Sequence, residues 1–369
     1  MMCLHTYANG SPLQVPRERI APINIWSSEL CKLTANAMLA QRISSINSIS
    51  AICEKTGADI TGIAKSIGMD KRIGPQFLKA GLGFGGSCFR KDIASLTYLA
   101  ESLGLPEVAL YWQQVLEMND FQRSRFARQV IATLNNSLRG KKVAILGYAF
   151  KKDTGDARES PALDVIRILL EEGPTSIAIY DPLCSEADIK YELKVLARDG
   201  PVLEADGGPV EILRNPYEAC MDSSAVLVLT DWDMFKITAG TAAASTRPSK
   251  LLAENVNPNI PAGITHIQPI KPNTPPAPFK VSADPISGVD SSSLLPEPEC
   301  PSDCAECAAT SALGSQNERM KDIKTPLDWS RVARAVKQPL VFDGRNMLDL
   351  RAMAALGFRL ETLGRASLS

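Results

Sequence analysis

Histidine is scarce in this chain, whose 369 residues include only His5 and His266. Catalysis by a histidine-containing triad and metal binding by histidine are therefore not expected. The net charge of −1 gives no reason to expect binding to nucleic acid or to an anionic membrane. No apolar run approaches the ~20 residues that span a bilayer, and the first residues do not resemble a signal peptide. These absences together predict a cytoplasmic globular protein.

The nine cysteines are scattered along the chain, as expected of reduced thiols. Cys300, Cys304 and Cys307 lie close together, but they do not make a four-ligand set and no histidine is near them. Free thiols are therefore the preferred interpretation, and no metal site is predicted.

The chain changes its pattern several times, which predicts separate regions. Residues 1–24 show no clear period and contain several prolines, so they are predicted to be a poorly ordered leader. Residues 25–135 carry long helical patterns and predict an all-α domain. Residues 136–238 and 325–369 alternate strands with helices, which predicts a parallel α/β sheet. Residues 239–324 are rich in proline and serine, which predicts a disordered insertion.

The segment from Phe77 to Asp92 contains a cysteine, Cys88, where a glycine-rich stretch gives way to a helical pattern. Unpaired backbone N–H groups, the helix dipole and the charges of Arg90 and Lys91 would all favour the thiolate there. The thiolate is the nucleophilic form of cysteine. A buried cysteine that packs as a small hydrophobic side chain is the alternative, but packing does not require the neighbouring glycines.

Gly81, Gly83 and Gly86 match the G-x-G-x-x-G pattern of dinucleotide-binding sites. That pattern is meaningful only between a strand and a helix, and residues 72–77 do not have the pattern of a buried strand. We therefore expect a substrate-binding loop here instead of a dinucleotide site.

Two further groups could take part in chemistry. Lys32 and Asn36 are four residues apart and share a helix face, and their apolar neighbours suggest a partly desolvated lysine that could stabilise an oxyanion. Asp92 follows Cys88 by one helical turn and could position water beside the thiol. The alternatives are a solvated surface lysine and a first-turn carboxylate that stabilises the helix dipole.

The loop at residues 147–160 leaves the first strand of the α/β region and leads to a helix. Open α/β sheets bind ligands beyond the carboxyl ends of their strands. Lys151, Lys152 and Arg158 would suit phosphate groups there. An ordinary charged connection remains equally possible from the local pattern.

Taken together, several stretches closely resemble the UDP-glucose/GDP-mannose dehydrogenase family. They are residues 29–47, 83–92, 111–115, 150–160 and 342–345. The resemblance runs from about Trp26 to Lys236 and from about Leu327 to Gly364. It implies an α/β protein with a central all-α dimerisation domain and a Rossmann-like, UDP-binding parallel α/β domain.

This resemblance implies NAD-dependent oxidation of UDP-glucose to UDP-glucuronate through a thiohemiacetal and a thioester. Cys88 matches the family's nucleophile, and Asp92 matches the acid paired with water activation. Lys32 and Asn36 match the residues that stabilise the oxyanion. Arg158 matches a contact to NAD, and Arg72 an arginine that reaches a neighbouring subunit's substrate, which implies a homo-oligomer. The substrate contacts implied in this way are Arg72, Phe77, Leu78, Lys79, Gly83, Phe84, Phe150, Lys151 and Arg345.

The family begins with a Rossmann domain that carries a glycine fingerprint, and residues 1–24 offer no counterpart to it. We therefore expect the N-terminal NAD-binding domain to be missing and this chain to be inactive by itself. The alternative function is that of a non-catalytic fragment that binds a nucleotide sugar or associates with other subunits.

Overall fold

A computed structural model describes residues 21–197, 200–237 and 325–365. Four helices come first: α1 (Ile25–Thr56), α2 (Ile60–Gly68), α3 (Ser87–Ser102) and α4 (Pro106–Thr133). The predicted insertion, with its three cysteines, and the first twenty residues of the predicted leader lie outside the described residues.

Local interactions at their ends explain where the first helices begin and stop. The Asn24 side chain accepts a hydrogen bond from the N–H of Ser27, and Gly57 ends α1 with a φ of 81°. Asp59 caps α2 in the same manner. Gly86 precedes α3 with a φ of 77°, a conformation that glycine adopts without strain.

A sheet of parallel strands follows the helices. Its strands are β1 (Lys142–Leu146), β2 (Ser176–Tyr180), β3 (Val210–Ile212), β4 (Ala225–Val228), β5 (Leu340–Asp343) and β6 (Arg359–Thr362). The strand order is β3-β2-β1-β4-β5-β6. Val143 of β1 pairs with Ile177 on one side and with Ala225 on the other. The order therefore reverses direction between β1 and β4, where doubly wound sheets open a crevice for ligands.

Shorter helices connect the strands. They are α5 (Pro161–Glu171), α6 (Glu186–Ala197), α7 (Pro216–Cys220), α8 (Trp329–Ala335) and α9 (Leu350–Ala355). This combination of helices and a parallel sheet confirms the predicted α/β fold class. None of the described helices has the length and apolar content that crossing a membrane requires.

The main hydrophobic core surrounds the sheet and includes residues of α4. The ring of Phe126 on α4 meets the ring of Phe342 on β5 edge to face, with centroids 6.4 Å apart. A smaller cluster places Phe84 among apolar residues of α1, α3 and α4. Helix α4 therefore packs on the sheet, and α1, α3 and α4 pack on the loop that precedes α3.

Candidate functional site

The glycine loop, defined here as residues 81–86, lies between α2 and α3 and is fixed through its backbone. Gly81 donates to Asn47 Oδ1 at 2.9 Å and accepts from Gln122 Nε2 at 2.7 Å. Leu82 donates to the carbonyl of Gly344, just after β5, at 2.9 Å. Side chains of α1 and α4 and a loop of the sheet thus fix the first half of the loop. No strand leads into it, so the structure agrees with rejecting a dinucleotide fingerprint here.

The second half of the glycine loop is held at Phe84. The N–H of Phe84 donates to Asn119 Oδ1 at 2.9 Å, and its carbonyl accepts from Asn119 Nδ2 at 3.1 Å. Arg123 also donates to this carbonyl. Gly83 has a φ of 93°, and a Cβ at this position would overlap Asn119 Oδ1. Only glycine therefore fits at position 83 without displacing the asparagine.

Arg345 joins the glycine loop to the carboxyl ends of the central strands. Its Nη1 donates to the carbonyl of Gly83 at 3.4 Å, and its Nη2 to that of Phe150 at 3.1 Å. Its Nε donates to the carbonyl of Leu229 at 2.6 Å. Burial lowers the pKa of this guanidinium, while the nearby Asp231 carboxylate raises it. Three residues that the resemblance implied as substrate contacts, Gly83, Phe150 and Arg345, thus lie together.

Asp343, the last residue of β5, shapes the turn that carries Arg345. Its carboxylate accepts from the backbone N–H of Arg345 at 2.9 Å and from those of Met347 and Leu348 at 2.7 Å each. The residue is fully buried. Burial raises the pKa of Asp343, and the backbone hydrogen bonds oppose this effect. The carboxylate therefore fixes the direction in which Arg345 leaves the strand.

Cys88 is the second residue of α3, and its thiol is free and exposed. It lies within electrostatic range of Arg158, whose guanidinium pairs with the Asp156 carboxylate. Because the Cys88 side chain is exposed, it does not pack in the core as a small hydrophobic side chain.

Lys32 and Asn36 of α1 meet Asp92 of α3. Asp92 Oδ2 accepts from Lys32 Nζ and from Asn36 Nδ2, both at 2.5 Å. Burial by itself raises the pKa of Asp92, but these two hydrogen bonds and the charge of Lys32 outweigh it and hold the pKa below its ordinary value. The prediction that Lys32 is partly desolvated is wrong, because its side chain is 59% exposed. Asp92, at 1% exposed, is the buried partner.

The stability contributed by Asp92 should disappear in acid. Its pKa is lower in the folded state than the ~3.9 of an unfolded chain, so the contribution is complete above that value and is lost as the pH falls through the folded pKa. We expect Asp92→Asn to lower the free energy of unfolding by about 2 kcal/mol at neutral pH and by less near pH ~3. Urea unfolding at both pH values measures the difference.

Asp70→Asn is the matched control for this prediction, because Asp70 forms an exposed ion pair with Arg72. Exposed pairs contribute little to stability, so the control should unfold like the wild type at both pH values. If Asp92→Asn destabilised the protein equally at neutral and acid pH, the carboxylate would not be the stabilising form.

The other predicted substrate residues lie at separate places around the glycine loop. Phe77 is half-exposed and has a φ of 60°, which is unusual for a residue other than glycine. Leu78 and Lys79 line a cleft of about 300 Å³ together with Lys65 and Asn346. Lys151 places its Nζ 5.2 Å from the centre of the Phe150 ring. The Arg72 side chain is 89% exposed, as a residue that reaches another subunit would need to be.

Two backbone N–H groups at the start of the loop between β1 and α5 are not free to bind a phosphate. The N–H groups of Tyr148 and Ala149 both donate to Asp181 Oδ2, at 2.7 and 2.9 Å. Arg158, the predicted NAD contact, is exposed and pairs with Asp156 at 2.8 Å. These two N–H groups are therefore already used, and Arg158 is held by a carboxylate of its own loop.

Four buried polar residues that hold the glycine loop were not predicted from the sequence: Asn47, Asn119, Gln122 and Arg123. The signal available for them was weak. Residues 119, 122, 123 and 126 share one helix face, and Phe126 marks that face as buried. Polar side chains on an apolar face indicate that a backbone or a ligand must lie opposite.

Domain models of one family match much of the chain. The central domain of the UDP-glucose/GDP-mannose dehydrogenase family matches residues 26–121, and the UDP binding domain of the same family matches residues 144–253. Together they cover more than half of the 369 residues. The chain belongs to the UDP-glucose/GDP-mannose dehydrogenase family. The resemblance predicted from the separate stretches is therefore confirmed.

Curated relatives of this family member include several UDP-glucose 6-dehydrogenases. The protein of Bos taurus is 56% identical over 224 residues, and that of Arabidopsis thaliana is 52% identical over 231 residues. These alignments cover 60% of this chain but only 44% and 48% of the relatives. The chain thus spans less than half the length of these two relatives.

Solved structures support the fold. The NDP-N-acetyl-D-galactosaminuronic acid dehydrogenase of Methanosarcina mazei Go1 matches 92% of this chain and 51% of its own, with a TM-score of 0.52 and 18% identity. The UDP-D-ManNAc dehydrogenase of Pyrococcus horikoshii gives a TM-score of 0.51 with 14% identity. At these identities the likeness concerns the architecture alone.

Proposed function

We propose that this chain carries the nucleotide-sugar pocket and the catalytic cysteine of a UDP-glucose 6-dehydrogenase. The enzyme would oxidise UDP-glucose to UDP-glucuronate with NAD. The observation that supports this most strongly is the junction made by Arg345, which joins the glycine loop to the loops after β1 and β4. That junction lies at the carboxyl ends of the central strands, and the glycine loop leads from it to Cys88.

Cys88 would act as the nucleophile. Its thiolate attacks the C6 aldehyde of the oxidised sugar, a carbon–sulfur bond forms, and the carbonyl electron pair moves onto the oxygen. Lys32 and Asn36 would donate hydrogen bonds to that oxygen, exchanging their present acceptor on Asp92. Asp92, whose pKa is lowered by these two donors before the sugar binds, would orient the water that later hydrolyses the thioester.

Removal of hydride from the alcohol and from the thiohemiacetal is the chemistry that NAD supplies when bound. Arg158 is the described residue that we propose to contact it. The N–H groups of Tyr148 and Ala149, at the start of the β1–α5 loop, are not free to bind its phosphates, because both donate to Asp181. The steps that the described residues account for are therefore aldehyde capture by Cys88 and thioester hydrolysis.

Lys79 and Lys65 give the cleft beside Leu78 a cationic rim, and Asn346 adds an amide that donates to the carbonyl of Ala80 at 3.2 Å. Two ammonium groups suit the diphosphate of a nucleotide sugar. We propose that this cleft receives part of the UDP group.

UDP-glucose should protect Cys88 from alkylation. At ten times its dissociation constant the free fraction of protein is about a tenth, so iodoacetamide should modify Cys88 about tenfold more slowly. Mass spectrometry of the peptides measures this rate, with exposed Cys31 on α1 as the reference thiol that should react unchanged. Unchanged alkylation of Cys88 at saturating UDP-glucose would remove the proposed site.

NADH formation distinguishes the two candidate functions. We expect UDP-glucose and NAD to give no NADH with this chain alone, as for a fragment that only binds the nucleotide sugar. NADH production that disappears in Cys88→Ala would instead establish the complete dehydrogenase activity.

We also propose that the chain forms homo-oligomers through its long helices. Trp26 on α1 is 75% exposed, and Leu110 and Tyr111 expose a further apolar area on α4. Light scattering at micromolar concentration should give a dimer or a larger species, and Leu110→Lys should reduce the mass. Tyr191→Lys, a control at an exposed position on α6, should leave the mass unchanged.

A further inference from the structure

We propose that Asn119 and Arg123 of α4 are positioning residues that fix the peptide groups of Phe84, so that the glycine loop presents Cys88 to the nucleotide sugar. The proposal rests on the proposed function, since it takes Cys88 as the nucleophile. The two residues are four apart and therefore lie on one face of α4. They contact the loop at one residue, four positions before the cysteine.

Asn119 holds Phe84 as a neighbouring strand would. One side-chain amide accepts from the N–H of Phe84 at 2.9 Å and donates to its carbonyl at 3.1 Å. A primary amide offers an acceptor and a donor side by side, and among short side chains this requires asparagine. Asn119 is only 1% exposed, so surrounding atoms restrict its rotamer.

Gly83 complements this arrangement. The absence of a side chain lets the Asn119 amide reach the backbone, because a Cβ at Gly83 would occupy the place of Oδ1. Glycine at 83 and asparagine at 119 therefore depend on each other, although they are far apart in sequence.

Arg123 fixes the same carbonyl from a second direction. Its guanidinium donates to the carbonyl of Phe84 and to the carboxylate of Asp164 on α5. Arg123 is buried, and its Nε has no hydrogen-bond partner among the described residues. A buried arginine with an unsatisfied donor is unfavourable for stability. The orientation of the loop is what this arginine provides in return, since it holds the carbonyl of Phe84.

The segment between Phe84 and Cys88 is short and is held by further contacts. Gly86 donates to the carbonyl of Glu159 at 3.2 Å, and its own Cβ position is filled by the Phe150 ring. The chain between Phe84 and the first turn of α3 is thus fixed at both ends. Only Gly85 separates Phe84 from Gly86, so a displacement of Phe84 pulls on the residue that precedes α3, where the thiol lies.

Asn119→Asp tests the proposal in the intact chain. The aspartate keeps the acceptor for the N–H of Phe84 but places an oxygen against its carbonyl. We expect the alkylation rate of Cys88 without ligand to change by about fivefold, and UDP-glucose binding measured by calorimetry to weaken by about tenfold. Gln114→Glu, the same amide-to-carboxylate change at an exposed site on α4, should alter neither.

Arg123→Lys is the second variant, because lysine keeps a charge for Asp164 but cannot donate in the forked geometry of arginine. It should weaken UDP-glucose binding, and it should shift the alkylation rate of Cys88 in the same direction as Asn119→Asp does. If Asn119→Asp and Arg123→Lys only lowered the melting temperature, with Cys88 alkylation and UDP-glucose affinity as in the wild type, the role would be structural and the proposal wrong. If the wild type did not bind UDP-glucose, the proposed function would fail, while the ligand-free alkylation rates would still decide the positioning.

Discussion

Replacing Gly83 with alanine should lower the free energy of unfolding by about 3 kcal/mol or more. The left-handed φ of 93° costs an L-residue about 1–2 kcal/mol. The new Cβ would also displace the buried Asn119 amide and break its two hydrogen bonds to Phe84, each worth about 1 kcal/mol. Urea unfolding measures the loss, and UDP-glucose binding should weaken with it.

Gly57→Ala is the matched control for Gly83→Ala. Gly57 has a similar φ of 81°, but a Cβ there would meet nothing within 4 Å. The control should therefore show only the conformational cost of about 1–2 kcal/mol. A double variant with Asn119→Ala should lose less than the sum of its single variants, because removing the amide relieves the overlap. Equal losses for the two glycine substitutions would mean that the contact with Asn119 contributes nothing.

Arg345→Met should weaken UDP-glucose binding by about a hundredfold. Methionine fills part of the volume but leaves the carbonyls of Gly83, Phe150 and Leu229 without their shared donor. Hydrogen bonds to a charged group contribute about 1.5–3 kcal/mol each, and a hundredfold change in affinity is about 2.8 kcal/mol, which is the loss of one or two such interactions. Isothermal calorimetry with UDP-glucose measures the change.

Arg167→Met provides the comparison, since Arg167 forms an exposed pair with Glu171 on α5 and lies outside the junction. Its affinity for UDP-glucose should stay within experimental error of the wild type. Binding by Arg345→Met at wild-type strength would show that the three loops keep their arrangement without the guanidinium.

Periodic patterns made the architecture predictable. Apolar residues recur with helical spacing in α1 and α4, and β1 and β4 are short apolar runs that end at glycine or polar residues. The position of Cys88 at the start of a helix followed from the same reasoning, since glycines give way to helical spacing there. Such signals are local, so a single sequence contains them.

The environment of Lys32 could not be predicted in this way. Its apolar sequence neighbours suggested burial, but adjacent positions on a helix point in different directions, and Leu30 is itself exposed. What surrounds Lys32 is decided by Asp92, which lies 60 residues away. The role of Asn119 could not be predicted for the same reason. The N–H and the carbonyl that its amide contacts belong to Phe84, which is 35 residues away in sequence.

Arg345 and Gly83 meet across 262 positions of sequence. During synthesis the glycine loop and Cys88 therefore leave the ribosome long before the arginine that completes their surroundings. Contacts between such distant positions form late, because the entropy of closing the intervening chain must be overcome first. The proposed ligand binding is consequently a property of the finished chain. A nascent or interrupted polypeptide already carries the Cys88 thiol but lacks Arg345, so it could react with electrophiles before the proposed pocket had formed.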